Sequence, residues 1–369
     1  MPTRLVLVGG GHAHLSTLEA FALERPEEIE LTIVTPDPRQ FHPAMLAGAI
    51  DGGRPLEETR IDIAALARRA GAKVRITLAR GLDRTRRELQ LGDGTTLRYD
   101  VASIAIGTGL EGADLPGVRE HALMVQPAAE AGALGPALDG LVKRRAGRPI
   151  RLLVVGTGAI AIELALAIRV RVAGAAADAS VNVTLVGESA RLLPDRSPAA
   201  GRTAMRALSD AGIAAHFGAG VRSLEPGTLT LTNGDRLTAD GVVWATGPAP
   251  LPFARATGLT TDPAGYLRVD PWLRSTDDPL VFAGGGAAVV GDAPVDPIRS
   301  GAILAHNLLC VCTGTGPLRR YTPRRLPEFV RLGPARALAD WGSVVVSGGW
   351  VNALKERGER AYLARFRDK

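Results

Sequence analysis

The sequence predicts an α/β fold built from two similar halves, each a parallel sheet with helices against it. The first observation is a repeated start: LVLVGGGHAHL (5–15) and LLVVGTGAIAIEL (152–164) are each a short apolar strand, a Gly-x-Gly turn and a run able to form a helix. Such a turn occurs where a helix N-terminus must come close to a pyrophosphate. The second is that the repeat continues. ELQLGDGTTLRYDVASIAIG (88–107) and TLTLTNGDRLTADGVVWATG (228–247) match at a constant offset of 140, pairing Leu89 with Leu229, Leu91 with Leu231, Gly94 with Gly234, Leu97 with Leu237, Asp100 with Asp240, Ala105 with Ala245 and Gly107 with Gly247. Two matched copies in the same order make chance a poor explanation.

Each element then has a place. The opening strand and helix of each copy form a Rossmann start, the alternating runs around Gly-Asp-Gly or Asn-Gly form hairpins, and an apolar strand ending in glycine closes the unit. VFAGGGAAVV (281–290) is a further short apolar run emptying into glycines. In the layout of the flavin-dependent pyridine-nucleotide oxidoreductases that these motifs resemble, it is the last strand of the first unit, returning after the second, which implies one unit interrupted by its sibling. The expected division is 1–118 with 248–316, then 119–247, then a C-terminal segment 317–369.

Composition narrows the function classes. Of 369 residues 46% are hydrophobic, and the net charge of +6 is uneven. From Leu318 onward there are twelve Lys/Arg against five Asp/Glu, so the basic character belongs to a tail and nucleic-acid binding is not implied. The first strand-like run, Arg4–Val8, leaves no room for a cleaved leader, and no apolar stretch reaches membrane-spanning length, which predicts a cytoplasmic protein. Cys310 and Cys312 stand two apart and would project to different sides of a helix or strand, so buried inert thiols are expected rather than a disulfide. His12 and His14, without acid or thiol neighbours, are read as turn and packing residues, and no metal site is expected.

With these motifs in place the sequence resembles the two-dinucleotide-binding-domain flavoproteins of glutathione reductase-like fold. It is most similar to type II NADH dehydrogenase-like proteins and to the oxidoreductase-like domain found fused to selenide, water dikinase. VLVGGGHAHL, RLLPDRSPAAGRTAMRALSDAGIAAHFGAGV (191–221) and RALADWGSVVVSGGWV (336–351) carry the latter likeness. The resemblance implies FAD in the first unit, NADH or NADPH in the second, hydride transfer between stacked rings, and electron delivery to a small, often quinone, acceptor. It implies that Gly9, Gly11 and His12 lie at the FAD pyrophosphate, Gly156 and Gly158 at that of the nicotinamide cofactor, and Thr246 and Gly247 on the nicotinamide side. Thr108 and the Phe41–His42–Pro43 loop would lie by the flavin, with His42 the histidine for proton delivery, and the helix beginning near Ser300 would aim its positive end at the flavin N1/C2=O edge. Glu163, in Gly-x-Gly-x-x-x-x-Glu, would stand near the nicotinamide, the alternative being a helix-pairing carboxylate. Glu188 offers an acid to the adenosine ribose and favours NADH, while Arg191 could instead take a 2′-phosphate.

Departures from the family pattern are equally specific. The last strand ends in Gly285–Gly286 where relatives place Gly-Asp, Thr35 stands where an acid meets the FAD ribose with Asp37 two residues late, and His14 replaces the third glycine. The stretch 286–299 is about five residues shorter than in relatives. The glutamine pair beside the quinone is absent, and without Cys-x4-Cys neither disulfide-reductase nor sulfide:quinone chemistry is expected. Two function classes therefore stand: an FAD-dependent NAD(P)H oxidoreductase, and a relative that kept the scaffold without flavin redox, binding a nucleotide or partner or serving a non-redox biosynthetic step. The tail 350–369 reads as a basic amphipathic helix, with Trp350, Val351, Leu354, Ala361, Tyr362 and Phe366 as its stripe, Lys355 among its flanking cations, and Gly358 as an interruption. A membrane surface, its own domain or a second copy of the chain are the partners open to it.

Overall fold

The computed structural model describes residues 1–145, 147–175, 181–324 and 326–367. Two five-stranded parallel sheets dominate. In the first, Thr3–Val8 lies between Ile29–Thr35 and Val101–Ile104, with Lys73–Ile76 and Val281–Ala283 at the edges. In the second, Ile150–Val155 lies between Val181–Gly187 and Gly241–Trp244, with Ala214–Phe217 and Leu123–Met124 at the edges. The central strands are near-continuous apolar runs, as strands covered on both faces must be. The opening of VFAGGGAAVV is thus a strand of the first sheet, paired in register with Ala102–Ile104.

The repeat-related aspartates have the same structural task in both units. Asp100 accepts from the Arg4 amide (2.8 Å) and guanidinium, and Asp240 from the Arg151 amide (2.8 Å) and guanidinium. Each carboxylate ties the start of the unit's central strand to the strand beside it. The hydrogen bond from the Arg4 side chain is the main reason that the Asp100 carboxyl is held below its usual range. Each antiparallel hairpin (Glu88–Leu91 with Thr96–Arg98, Thr228–Leu231 with Arg236–Thr238) turns at a glycine in the left-handed region, φ +82° at Gly94 and +95° at Gly234.

Across the first sheet the helices His12–Glu24 and Arg299–Thr313 cross closely. A Cβ on Gly301 would lie 2.6 Å from Ser16 Cβ and 3.1 Å from the Ala13 carbonyl oxygen, so glycine sets that approach.

The C-terminal segment, a three-stranded antiparallel sheet (Glu328–Arg331, Ala337–Asp340, Val345–Gly348) followed by the helix Gly349–Ala364, bridges the two units. Val330, Leu332 and Leu338 join the apolar core of the second unit, whereas Tyr362, Leu363 and Phe366 join that of the first. The helix runs through Gly358 without a break. Of the expected stripe, Val351, Tyr362 and Phe366 are buried, but Trp350 and Leu354 are 61% and 48% exposed. Lys355, expected on the solvated side, is buried. Its Nζ donates to the Ala44 carbonyl of the first unit (2.9 Å) and to Glu359, and lies 3.5 Å from Glu163 of the second. Beside it Arg331 gives its amide to Glu163 (2.7 Å) and pairs its guanidinium with Asp51, both side chains being buried. No helix among the described residues is long and apolar enough to cross a membrane.

Burial raises the Glu163 carboxyl above its usual range against the pull of Lys355, because two glutamates share that one ammonium. The folded chain therefore keeps a proton that the unfolded chain releases near 4.5. That contribution to stability is complete below the unfolded value and lost as pH rises through the raised folded value, at up to ~1.4 kcal/mol per pH unit. In urea unfolding between pH 5 and 8, Glu163→Gln should flatten this decline; an unchanged slope would place the proton elsewhere. Gly301→Ala should destabilise by ~1–3 kcal/mol through overpacking, read as a lower thermal midpoint. An unshifted midpoint would mean that the two helices separate freely.

Candidate functional site

The two Gly-x-Gly turns are shaped first by the protein itself. Gly9 (φ +93°) and Gly156 (φ +139°) occupy backbone conformations that side chains resist, and a Cβ on either would sit 2.5 or 2.2 Å from the carbonyl oxygen of Ala105 or Ala245. A Cβ on Gly11 would meet the Ala105 oxygen as well, whereas one on Gly158 meets nothing within 4 Å. The glycines at 9, 11 and 156 thus let each turn pass over the end of the neighbouring strand, and Gly158 leaves space open in front of the second helix.

The residues replacing the family acids are accounted for by the same packing. Thr35 Oγ1 donates to the Asp37 carbonyl (2.9 Å) and lies 3.3 Å from where Gly10 would carry a Cβ. In the second unit the contact is reversed: Thr157, in the turn, reaches over Gly187 at the strand end, its Cγ2 being 2.2 Å from a Cβ placed there. The space over Gly10 is filled chiefly by Ile63, whose Cδ1 is 2.3 Å from a Cβ placed there. Thr35 thus faces protein. Glu188, one residue past the second strand, is exposed. Arg191 donates through Nη2 to the carbonyls of Pro194 (2.6 Å) and Arg196 (3.1 Å), while its Nη1 is buried without a partner among the described residues.

Of the three glycines after Val281–Ala283, Gly284 admits the crossing helices, with Leu304 Cδ2 and Ala13 Cβ at 3.1 and 3.4 Å from a notional Cβ. Gly285 adopts φ +67° and donates its amide to Ser300 Oγ (3.3 Å). Gly286 alone of the three lines a cleft of about 1400 Å³, where its missing side chain faces Thr108 Cγ2 at 3.0 Å. That cleft is also lined by His42, the 292–298 loop, Tyr321, Pro323, Pro327 and Phe329, and by Lys355, Glu359 and Tyr362 of the C-terminal helix. Pro43 opens a single helical turn beside it.

Three rings meet at the amino end of the first helix. His12 Nδ1 and Tyr362 OH are 2.8 Å apart, and the His42 ring lies 5.4 Å from that of His12 and 5.3 Å from that of Tyr362. Burial pushes His12 down to about 4 and His42 down to about 3, so both are neutral near pH 7. His42 lines the cleft as a ring able to donate or accept a hydrogen bond. His12 Nε2 and His42 Nδ1 are buried and have no partner among the described residues. Gly11 gives the helix no side-chain cap, which leaves its first amides open. His14 is different: it bridges the Gly9 carbonyl (2.6 Å) and Ser103 Oγ (2.9 Å), which explains how a histidine replaces the third glycine and leaves no nitrogen for a metal.

Two further expectations need correcting. The helix Arg299–Thr313 does not present a bare positive end, because Asp296 Oδ1 accepts from the amides of Ile298 (2.9 Å) and Arg299 (2.7 Å). Glu163 does not line the cleft; it stands behind Lys355, which does. Thr246 gives its hydroxyl to the Glu111 carbonyl (2.8 Å), beside an exposed Gly247. Cys310 and Cys312 are free and buried, and burial pushes the Cys312 thiol up to about 12. Sequence reasoning missed Tyr362, Lys355 and Asp296 as cleft residues, since nothing local marks a tail residue as the neighbour of residue 12.

Comparison with known proteins agrees with this geometry. The chain is 28% identical over 299 residues to an NADH dehydrogenase-like protein of Mycobacterium tuberculosis, covering 78% of this chain and 73% of the relative. Its fold is shared with NDH2 of Plasmodium falciparum, solved with NADH, at TM-score 0.82 and 12% identity over 99% of this chain and 98% of the other. It is shared also with the sulfide:quinone oxidoreductase of Aquifex aeolicus, at TM-score 0.78 and 16% identity over 99% and 91%. The pattern of one enzyme family spans residues 3–307, more than four-fifths of the chain. The protein is accordingly a member of the pyridine nucleotide-disulphide oxidoreductase family, with the two-unit fold of its NAD(P)H-dependent flavoprotein oxidoreductases.

Proposed function

We propose that the protein is an FAD-dependent NAD(P)H oxidoreductase that passes electrons to a quinone-like or other small acceptor. In this reading residues 1–118 with 248–316 hold FAD, 119–247 hold the nicotinamide nucleotide, and 317–369 close the cleft. One observation carries it: an uncapped helix N-terminus after Gly9-Gly10-Gly11, flanked by two buried unpartnered histidine nitrogens, beside a cleft of about 1400 Å³. Open amides and unpartnered ring nitrogens fit a diphosphate, and the cleft exceeds the roughly 300–1,000 Å³ of a single small-ligand site. When bound, the flavin supplies acceptance of a hydride and its release as electrons.

The chain's own residues bind, orient and exclude water. The helix amides at His12 and Ala13 would hold the FAD diphosphate, with Thr108 and the bare Gly286 bounding the space beside it. Gly158 would let the second helix approach the nicotinamide nucleotide, Glu188 would accept from its adenosine ribose hydroxyls, and the Thr246–Gly247 turn would face its nicotinamide end. Pro294, Pro297, Pro323, Pro327 and Phe329 give the cleft a stiff apolar wall suited to a planar apolar acceptor. Lys355 puts a buried ammonium on that wall, and Glu163, whose carboxyl burial raises, acts on the cleft only through it, as a positioning residue. Exposed Leu326 and Leu354 at the rim, with Ile298, suit an acceptor with an apolar tail.

The visible spectrum of the purified protein tests the reading directly. A flavin spectrum, supplied by added FAD if the protein is colourless, that NADH bleaches under anaerobic conditions and a short-chain quinone restores is the expected result. Refusal of FAD would favour the scaffold without flavin redox. In the second unit Glu188→Ser should weaken NADH binding about tenfold by removing hydrogen bonds to a charged acceptor, while NADPH binding changes less. Equal losses for both nucleotides, measured by titration, would remove Glu188 from the ribose site.

A further inference from the structure

The C-terminal helix reaches the first Gly-x-Gly turn through one side chain. Tyr362 OH is 2.8 Å from His12 Nδ1 and has no other hydrogen-bond partner among the described residues. Arg365 holds the same helix turn in place, lying over the Tyr362 ring at 5.7 Å and pairing with Glu19 of the first helix (2.5 Å). The phenol can donate to Nδ1 in the tautomer that carries the His12 hydrogen on Nε2, or accept from Nδ1–H in the other. Nε2 is buried without a protein partner among the described residues, at the uncapped end of the helix whose first amides are also open. A buried Nε2–H left unsatisfied is costly, and an anion at this point removes that cost and so favours the first tautomer. Asp296, the acid that acts on both His12 and Tyr362, is already hydrogen-bonded to two amides and does not fill the place.

We propose that Tyr362 latches the C-terminal helix to the cofactor: by donating to His12 Nδ1 it fixes the tautomer in which His12 Nε2–H hydrogen-bonds the diphosphate of the bound dinucleotide. The inference rests on the flavin reading above and adds to it that cofactor retention depends on the docking of the tail. Tyr362 is a positioning residue, and His12 the one that touches the ligand.

The test is a double-mutant cycle on the flavin-stripped full chain, with Tyr362→Phe, His12→Ala and both together, titrated with FAD and separately with riboflavin. Tyr362→Phe should raise the Kd for FAD about three- to tenfold, His12→Ala at least as much, and the double variant no more than His12→Ala alone. Riboflavin, which lacks the phosphates, should bind all four proteins equally and so reports on the fold of the variants. Additive losses, an equal loss for riboflavin, or a Tyr362→Phe protein that binds FAD as the wild type does would each overturn the latch alone. A wild-type protein that binds no FAD would overturn the flavin reading, and the latch with it.

Discussion

The structure depends on a buried junction of charges where the C-terminal segment crosses both Rossmann units. Arg331 and Lys355 come from that segment together with Glu359, Glu163 comes from the first helix of the second unit, and Asp51 and the Ala44 carbonyl from the first unit. Removing ions from water costs several kcal/mol each, and a pair recovers that only with good geometry and further hydrogen bonds. Here two cations meet three carboxyls, and burial raises the Glu163 carboxyl above its usual range. Such a cluster adds little net stability over an apolar core, but it penalises any arrangement in which one part is displaced. It therefore fixes the tail against both units, and with it the wall of the cleft that carries Lys355 and Tyr362.

A second constraint acts inside each unit. The turn after the central strand must pass over the end of the neighbouring strand, with Gly9 and Gly156 against the Ala105 and Ala245 carbonyls. At the following strand end the two units differ: Ile63 fills the space over Gly10 in the first, and Thr157 of the turn fills that over Gly187 in the second. Thr35 is buried and spends its hydroxyl on the Asp37 carbonyl, so that position is taken up by the protein itself. The same holds at the last strand, where Thr108 stands 3.0 Å from a side chain that Gly286 does not have.

The fold was legible because its signals are local and periodic. Glycine after an apolar strand, alternation around a two-residue turn, and the repeat of both at a fixed offset each report on backbone geometry within a few residues. VFAGGGAAVV could be assigned to the first sheet from the layout of the family that the repeat resembles, and its first glycine, Gly284, lies against Leu304 and Ala13 of the crossing helices. Less of the site was legible. Glu163 looked like a residue of the nicotinamide site because its spacing from Gly-x-Gly is local, whereas its partners, Lys355 and the Arg331 amide, lie 192 and 168 positions away. Lys355 looked like a solvated cation because helical periodicity records which residues share a face, not what that face meets. Tyr362 appeared only as one apolar residue in a stripe. A contact between residues 12 and 362 leaves no trace in either neighbourhood.

These observations bear on how a cofactor could be held where the ribose acids are gone. A carboxylate accepting from ribose hydroxyls makes hydrogen bonds of roughly 1.5–3 kcal/mol each, so two absent acids could weaken a dinucleotide by a few powers of ten. What the first unit offers instead lies at the diphosphate: open helix amides, two neutral histidines with unpartnered nitrogens, and a tail side chain at hydrogen-bond distance from one of them. Neutral donors suit that position, since histidines held near 3 or 4 by burial remain uncharged across the physiological range and do not disturb the neighbouring Lys355 cluster. On the proposed reading, recognition would move from the sugar, where each contact is local to one unit, to the phosphates, where the contacts would include a residue that must first be brought in by the tail. A cleft assembled this way is complete only when all three parts of the chain are docked, which is the arrangement that the buried charge junction enforces.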